Sequence, residues 1–363
     1  MPNIGINVNG LNFENPFVIG SGPPSTNAKT IIKAFDEGWG GVVAKTCSLP
    51  STEVINVVPR YGKLRNQKGD IVGFENIELI SDRTLNQWLD DFKKVKDKHP
   101  KKILIASIME RYNKDAWQEL TGLIDATGVD MFELNFSCPH GHPETGMGAA
   151  MGQNPPILKE VTNWVVAATK KPVWAKMTPD IANIVTPAKA ALEGGATGVA
   201  AINTIPSIIG IDLDKLRPMP TVEGYSTPGG YSYIAVKPIA LRMVSQLAKG
   251  IPGIEISAIG GVVKSDDAIE FMLLGGSTVQ VCTGVMLHGY EMIHELKDGL
   301  SKFMEKHSFK SVREFVGYSL PFLTTHHDLV EKRLAKQTNA LQSNRDNQWS
   351  GNISAETEAF VSN

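Results

Sequence analysis

Eight short apolar runs, each followed by an amphipathic stretch, limit what this chain can fold into more than any other feature. The runs are Phe17–Ser21, Gly41–Lys45, Ile103–Ile108, Met131–Asn135, Val173–Met177, Gly198–Ile202, Glu255–Ala258 and Thr278–Val281. Helical spacing fills the gaps over Asn27–Glu37, Asp82–Lys98, Lys114–Ala126, Pro155–Thr169, Asp180–Glu193, Ala235–Leu247, Ser265–Leu274 and Met286–His307. Start and stop signals agree with that division. Asn154-Pro155-Pro156 and Ser265-Asp266-Asp267 open helices. Glu37-Gly38, Glu193-Gly194-Gly195 and Leu274-Gly275-Gly276 close them in glycine just before the next apolar run. Runs without polar alternation suit strands buried on both faces, which parallel sheets require. Eight evenly spaced β-α units predict a (β/α)₈ TIM barrel rather than an open doubly wound sheet.

Additions to the barrel are also legible. Ile4–Val8 and Leu11–Phe13 alternate about Asn9-Gly10, a two-residue hairpin signal, and this N-terminal β-hairpin is expected to cap one end of the fold. Two connections, Cys47–Ser81 and Thr204–Tyr233, are too long for a bare barrel. They leave C-terminal strand ends, where barrels build active sites. The division expected is a catalytic barrel over 1–323 and a polar C-terminal tail over 324–363, partly disordered and free of cysteine.

The polar residues at the strand ends point to a ligand. They are Ser21, Lys45-Thr46, Asn135, Lys176, Asn203-Thr204, Gly260-Gly261 and Cys282-Thr283, with Asn76 from the first long loop. Either lysine could simply snorkel out of the barrel top. Two at one mouth suggest an anionic or electron-rich ligand. Loop asparagines usually serve turns. Three converging amides would suit a flat ligand with alternating C=O and N–H groups, because each offers a donor and an acceptor. Glycines after strands seven and eight fit a phosphate-binding position common in barrels.

One stretch carries the chemistry. Glu133-Leu134-Asn135-Phe136-Ser137-Cys138-Pro139 runs as a strand and breaks at a proline, leaving a thiol at the barrel mouth. The glycine-rich segment His142–Gly152 that follows could act as a mobile lid. A buried structural cysteine before an ordinary turn is the competing reading. Cys138, His140 and His142 could form a metal trio, but no fourth ligand or supporting carboxylate accompanies them, and no metal is expected.

Composition supplies the exclusions. A net charge of −2 over 363 residues gives no electrostatic case for nucleic acid or an acidic membrane. No run of about 18 apolar residues spans a bilayer, and Met1–Gly5 lacks the basic-then-apolar pattern of a secretory signal. Three well-separated cysteines fit a reducing cytoplasm and cannot supply the four thiolates of a standard iron–sulfur cluster. No Gly-x-Gly-x-x-Gly follows a strand, so no nicotinamide fingerprint is present.

Taken together, Asn135-Phe136-Ser137-Cys138-Pro139-His140-Gly141, Gly146-Met147-Gly148, Lys45-Thr46, Asn76-Ile77-Glu78-Leu79-Ile80-Ser81, Ala106-Ser107-Ile108-Met109, Ala175-Lys176-Met177-Thr178-Pro179 and Asn203-Thr204 closely resemble the flavin domain of dihydropyrimidine dehydrogenase. The resemblance covers roughly Asn15 to Gly299. Dihydroorotate dehydrogenase is the sister family and the alternative activity. The resemblance implies an FMN-dependent oxidoreductase acting on the C5–C6 bond of uracil or thymine. Cys138 would be the general acid, and Lys176 would lie near the flavin's electron-accepting edge. Asn76, Asn135, Asn203 and Thr204 would bind the pyrimidine. Ser21, Lys45, Thr46, Lys176, Gly230, Gly260, Gly261, Cys282 and Thr283 would hold the FMN. It further implies a homodimer or hetero-oligomer. Bacterial relatives within the resemblance usually carry a ferredoxin-like cysteine-rich segment after the barrel; this sequence shows none, which would leave the electrons to a partner chain carrying Fe-S, FAD or NAD(P)H sites, or to another donor.

Overall fold

The computed structural model describes residues 2–52, 54–139 and 146–338. It divides into two compact units, Met1–Leu320 and Pro321–Asn363. No helix among the described residues is long and apolar enough to cross a membrane.

The first unit opens with the hairpin, β1 (Ile6–Val8) and β2 (Leu11–Phe13), turning through Asn9 and Gly10 at positive φ. Asn9 accepts from Trp174 Nε1 at 2.8 Å and donates to the Thr197 carbonyl at 2.9 Å. Both contacts lie at strand starts, so the hairpin closes the barrel end opposite the strand C-termini.

The chain then runs β3 (Phe17–Ile19), α1 (Ala28–Glu37), β4 (Gly41–Val43), β5 (Tyr61–Arg65), β6 (Ile71–Asn76), α2 (Leu85–Lys98), β7 (Ile103–Ile108) and α3 (Lys114–Asp125). After β8 (Met131–Phe136) come the short α4 (Ala149–Gly152), α5 (Pro155–Ala168), β9 (Val173–Met177), α6 (Val185–Glu193) and β10 (Gly198–Ala201). The second long connection holds β11 (Ile205–Ser207), β12 (Ile211–Asp212), β13 (Arg217–Pro218) and β14 (Gly229–Ser232). The unit continues with α7 (Lys237–Gly250), β15 (Ile256–Ile259), α8 (Ser265–Leu273), β16 (Thr278–Val281), α9 (Thr283–His288) and α10 (Met292–His307).

Among the described residues, eight parallel strands close in the order β3-β4-β7-β8-β9-β10-β15-β16, the expected (β/α)₈ barrel. Its helices cover the outside for local reasons. Asn27 and Asn154 cap α1 and α5 by accepting from Thr30 and Ile157 amides. In α5, Leu158, Val161, Thr162 and Val165 repeat at helical spacing, and that face is buried. Each such aliphatic side chain contributes roughly 1.5–3 kcal/mol.

Three features differ from the sequence expectation. The long connections are folded: β5, β6, β11 and β14 pair as a four-stranded antiparallel cap sheet, with β12 and β13 as a separate hairpin. The single helix expected over Met286–His307 is two, because Gly289 breaks it at φ 83°. In the second unit α11 (His326–Thr338) forms where a polar tail was expected. Residues 339–363 of that tail, and residues 142–145 of the suggested lid, lie outside the described residues.

Candidate active site

A cavity of about 1130 Å³, counting its open mouth, lies between the barrel's C-terminal strand ends and the cap sheet. Ser21, Lys45, Thr46, Asn76, Asn135, Cys138, Lys176, Asn203, Thr204, Gly260, Gly261, Cys282 and Thr283 all line it. Gly230 does not. It stands behind the wall, where its carbonyl accepts from Asn76 Nδ2 at 3.3 Å and a Cβ would strike Thr204 Oγ1. Its backbone packs closely against Asn76 and Thr204.

Strand geometry explains the convergence. Lys45 lies two residues past β4, Lys176 and Asn135 sit in register on adjacent β9 and β8, and Asn203 follows β10. Phe74 and Asn76 share the cavity face of β6, because alternate side chains of a strand point the same way.

The floor is charge-balanced. Lys45 Nζ lies 3.0 Å from Glu78 Oε2, and Glu78 also accepts from Arg60 and Tyr61 at 2.9 Å each. Lys176 Nζ lies 3.4 Å from Glu133 Oε1 and donates to Gln280 Oε1 at 3.2 Å. Glu133 is 0 % exposed, and its other oxygen accepts from Gln280 Nε2 at 2.8 Å. An isolated buried charge is costly and a paired one much less so. Cys282, near both lysines, stays a thiol: burial pushes its pKa up to about 11, although the two ammonium groups pull against that.

The rim is amide and hydroxyl. Asn203 Nδ2 donates to Ser137 Oγ, Ser137 donates to Asn135 Oδ1, and Asn135 Nδ2 donates to Thr46 Oγ1, at 2.8, 3.2 and 3.0 Å. Cys138 is buried against Ile80, Met109 and Met147. The glycine-rich segment, where described, is packed against it: a Cβ on Gly148, at φ 57°, would lie 2.8 Å from the Cys138 carbonyl. His140 and His142 lie outside the described residues.

Comparison with known proteins now bears on this geometry. The family model for dihydroorotate dehydrogenase matches residues 4–304. The chain belongs to the dihydroorotate dehydrogenase family. It is a flavin-dependent oxidoreductase acting on CH–CH bonds. Within the family it is 52% identical to the chloroplastic dihydropyrimidine dehydrogenase (NADP(+)) of Arabidopsis thaliana, over all of this chain and 88% of that one. It is 41% identical to the NAD-dependent dihydropyrimidine dehydrogenase subunit PreA of Escherichia coli, over 85% and 74%. Identity to the catalytic subunit of dihydroorotate dehydrogenase B (NAD(+)) of Pyrococcus abyssi is 35%, over 87% and 98%. The crystal structure of DHODH in complex with ferulenol from Eimeria tenella shares the fold at a TM-score of 0.73, covering 88% of this chain and 89% of that one.

Sequence reasoning passed over several residues of this dihydroorotate dehydrogenase-family site. Glu133 and Gln280 lie inside apolar strands, and a lone Glu or Gln in a run buried on both faces was itself the signal. Glu78, two residues after Asn76, pairs with Lys45. The cap aromatics Tyr61, Phe74 and Tyr231 complete the wall, and Ser137, outside the lining, joins Asn203 to Asn135.

Proposed function

We propose that the protein is an FMN-dependent dihydropyrimidine dehydrogenase that reduces the C5–C6 double bond of uracil or thymine, or runs the reverse reaction. The observation that carries the reading is one cavity uniting three asparagines and Cys138 with a charge-balanced floor. Among the described residues lining it, the cations are Lys45 and Lys176, and each faces a carboxylate. A neutral pyrimidine needs only amide partners, whereas orotate brings a carboxylate that would compete with Glu78 or Glu133. This disfavours the dihydroorotate activity, although the Pyrococcus abyssi relative carries that name.

The residues fit FMN. The paired lysines suit an electron-rich ring system, and Ser21, Thr46, Cys282 and Thr283 add donors beside them. Gly260 and Gly261 both have positive φ, and a Cβ at Gly261 would sit 2.7 Å from the Tyr233 carbonyl, so backbone alone faces the cavity there. FMN, when bound, supplies the hydride chemistry at C6. Lys45 and Lys176 bind the ring, and Gly260, Gly261 and Thr283 hold the phosphate. Asn76, Asn135, Asn203 and Thr204 orient the pyrimidine, with Gly230 supporting Asn76 and Thr204. Cys138 holds at Sγ the proton that goes to C5, as a general acid. Tyr61, Phe74 and Tyr231 exclude water from above.

The Escherichia coli and Pyrococcus abyssi relatives are named as subunits, which supports a partner chain that delivers electrons here too. The thiol content supports a reducing compartment, and we assign the cytoplasm.

The test is anaerobic. The flavin-loaded protein is reduced, mixed with uracil, thymine or orotate, and its flavin absorbance followed. Rapid reoxidation by uracil or thymine is expected. Reoxidation by orotate alone would overturn the substrate assignment, and a chain that binds no flavin would overturn the cofactor.

A further inference from the structure

Glu133 is the most deeply buried charge at the site, and no step of the reaction uses it. It sits in the middle of β8 with no exposure, yet it reaches the cavity floor. Its position is fixed. Oε2 accepts from Gln280 Nε2 at 2.8 Å, and that amide nitrogen also donates to Ser257 Oγ at 3.1 Å. Ser257 in turn accepts from Thr278 Oγ1 at 2.8 Å. The far end of the Gln280 amide accepts from Lys176 at 3.2 Å, so Gln280 bridges the carboxylate and the ammonium. Glu133 Oε1 faces Lys176 Nζ at 3.4 Å and has no hydrogen-bond partner among the described residues.

The other floor carboxylate is held differently. Glu78 answers to Lys45 but also to Arg60 and Tyr61 from the connection that builds the cap. Its charge is shared with the covering layer. Glu133 answers to the barrel interior alone among its described contacts, and Lys176 is the one cation it faces there.

We propose that Glu133 is a positioning residue that sets the reduction potential of the flavin by offsetting the charge of Lys176. The proposal rests on the flavin reading. Two-electron reduction adds negative charge to the flavin, and an unopposed ammonium beside it would stabilise the reduced form. In a buried site such charges act strongly at short range. The fixed Glu133 carboxylate offsets the Lys176 charge and holds the potential down. A more reducing flavin gives up its electron pair to a carbon–carbon double bond more readily, so the device favours pyrimidine reduction over the reverse.

The experiment measures the flavin midpoint potential of the loaded protein by dye equilibration. In Glu133→Gln, which keeps size and can keep the Gln280 contact, the reduced form should gain about tenfold over the oxidised form. That is a positive shift of about 30 mV for a two-electron couple. Glu133→Asp, which retains the charge, should stay near the wild-type value. Lys176→Met should shift the potential negatively, and Glu133→Gln with Lys176→Met should return it toward wild type. A Glu133→Gln potential indistinguishable from wild type overturns the proposal. Should that variant not load with flavin, a double variant matching Lys176→Met alone overturns it equally. A wild-type chain that takes up no flavin fails the function reading itself, which separates the two failures.

Discussion

Asn203 and Asn135 are joined through one hydroxyl. Ser137 Oγ accepts from Asn203 Nδ2 at 2.8 Å and donates to Asn135 Oδ1 at 3.2 Å. Asn203 Oδ1 accepts from the Thr204 amide at 2.8 Å, and Asn135 Nδ2 donates to Thr46. Both amides are therefore oriented before any ligand arrives. Substituting Ser137 with Ala removes one hydrogen bond from each. A typical hydrogen bond contributes about 0.5–1.5 kcal/mol, so with two bonds lost KM for the pyrimidine should rise about 5- to 160-fold with kcat less affected. Steady-state kinetics check this, and a fall confined to kcat would argue against a binding role.

Cys138 can be tested twice, once by its thiol and once by its place. Cys138→Ala should keep bound flavin and lose about 10²–10⁴ in turnover, the range of general acid catalysis. Gly148→Ala keeps the thiol but moves it. The new Cβ would lie 2.8 Å from the Cys138 carbonyl and 2.9 Å from its Cβ, at a backbone φ of 57° that alanine resists. Turnover should fall at least tenfold while the flavin spectrum stays unchanged. Full activity in Gly148→Ala would mean that the thiol's position does not matter.

The barrel was legible because parallel strands buried on both faces read as unbroken apolar runs, and because glycines punctuate the helix ends. All eight strands lie within a residue or two of their expected bounds. The cap sheet was not legible. β5, Tyr61–Arg65, is largely exposed and carries no apolar run, and its sheet joins strands from connections some 150 residues apart in sequence. Side-chain contacts made the difference in places: a Cβ on Gly73 would collide with the Tyr231 hydroxyl, a relation that periodicity cannot reveal. Asn203 stood out as the polar end of an apolar segment, and Asn76 as an asparagine of the first long connection. Glu133 and Gln280 were hidden because they sit inside such segments, where a charge is stable only with a partner the linear pattern does not show.

Two contacts tie the cap to the barrel at the Gly260–Gly261 end of the cavity. Ser232 Oγ lies 2.8 Å from Thr283 Oγ1, and the Tyr233 hydroxyl lies 2.9 Å from His288 Nε2, with the two rings stacked at 6.2 Å. Tyr233 holds a φ of 81°, unusual for a bulky residue. If this end holds the flavin phosphate, the contacts oppose its exit. Tyr233→Phe should speed flavin release about 2- to 10-fold, the worth of one hydrogen bond. Recovery of free-flavin fluorescence after dilution gives the rate directly. Unchanged release would leave the pair as a purely structural contact.

Glu75 offers a test of stability against pH. It is fully buried on the cap-sheet face opposite Asn76, and accepts from Ser207 at 2.7 Å, while Oε2 has no hydrogen-bond partner among the described residues. Burial pushes its pKa above the ordinary 4.5, more than Ser207 and the Ile209 and Gly229 amides pull it down. The sign follows from proton counting. Below pH 4.5 both folded and unfolded chains carry the proton. As pH rises past that value the unfolded chain loses it first, so stability falls until the folded group also ionises, and is level above. Glu110, raised by burial as well, adds to the same trend. Glu75→Gln removes one part of it. The variant should melt like wild type near pH 4. At pH 8 it should melt a few degrees higher, because removing an incompletely partnered buried charge is worth about 1–3 kcal/mol. Thermal unfolding followed by circular dichroism at the two pH values decides the matter. A variant less stable than wild type at pH 8 would mean that the carboxylate's bonds to Ser207 and the two amides outweigh its burial.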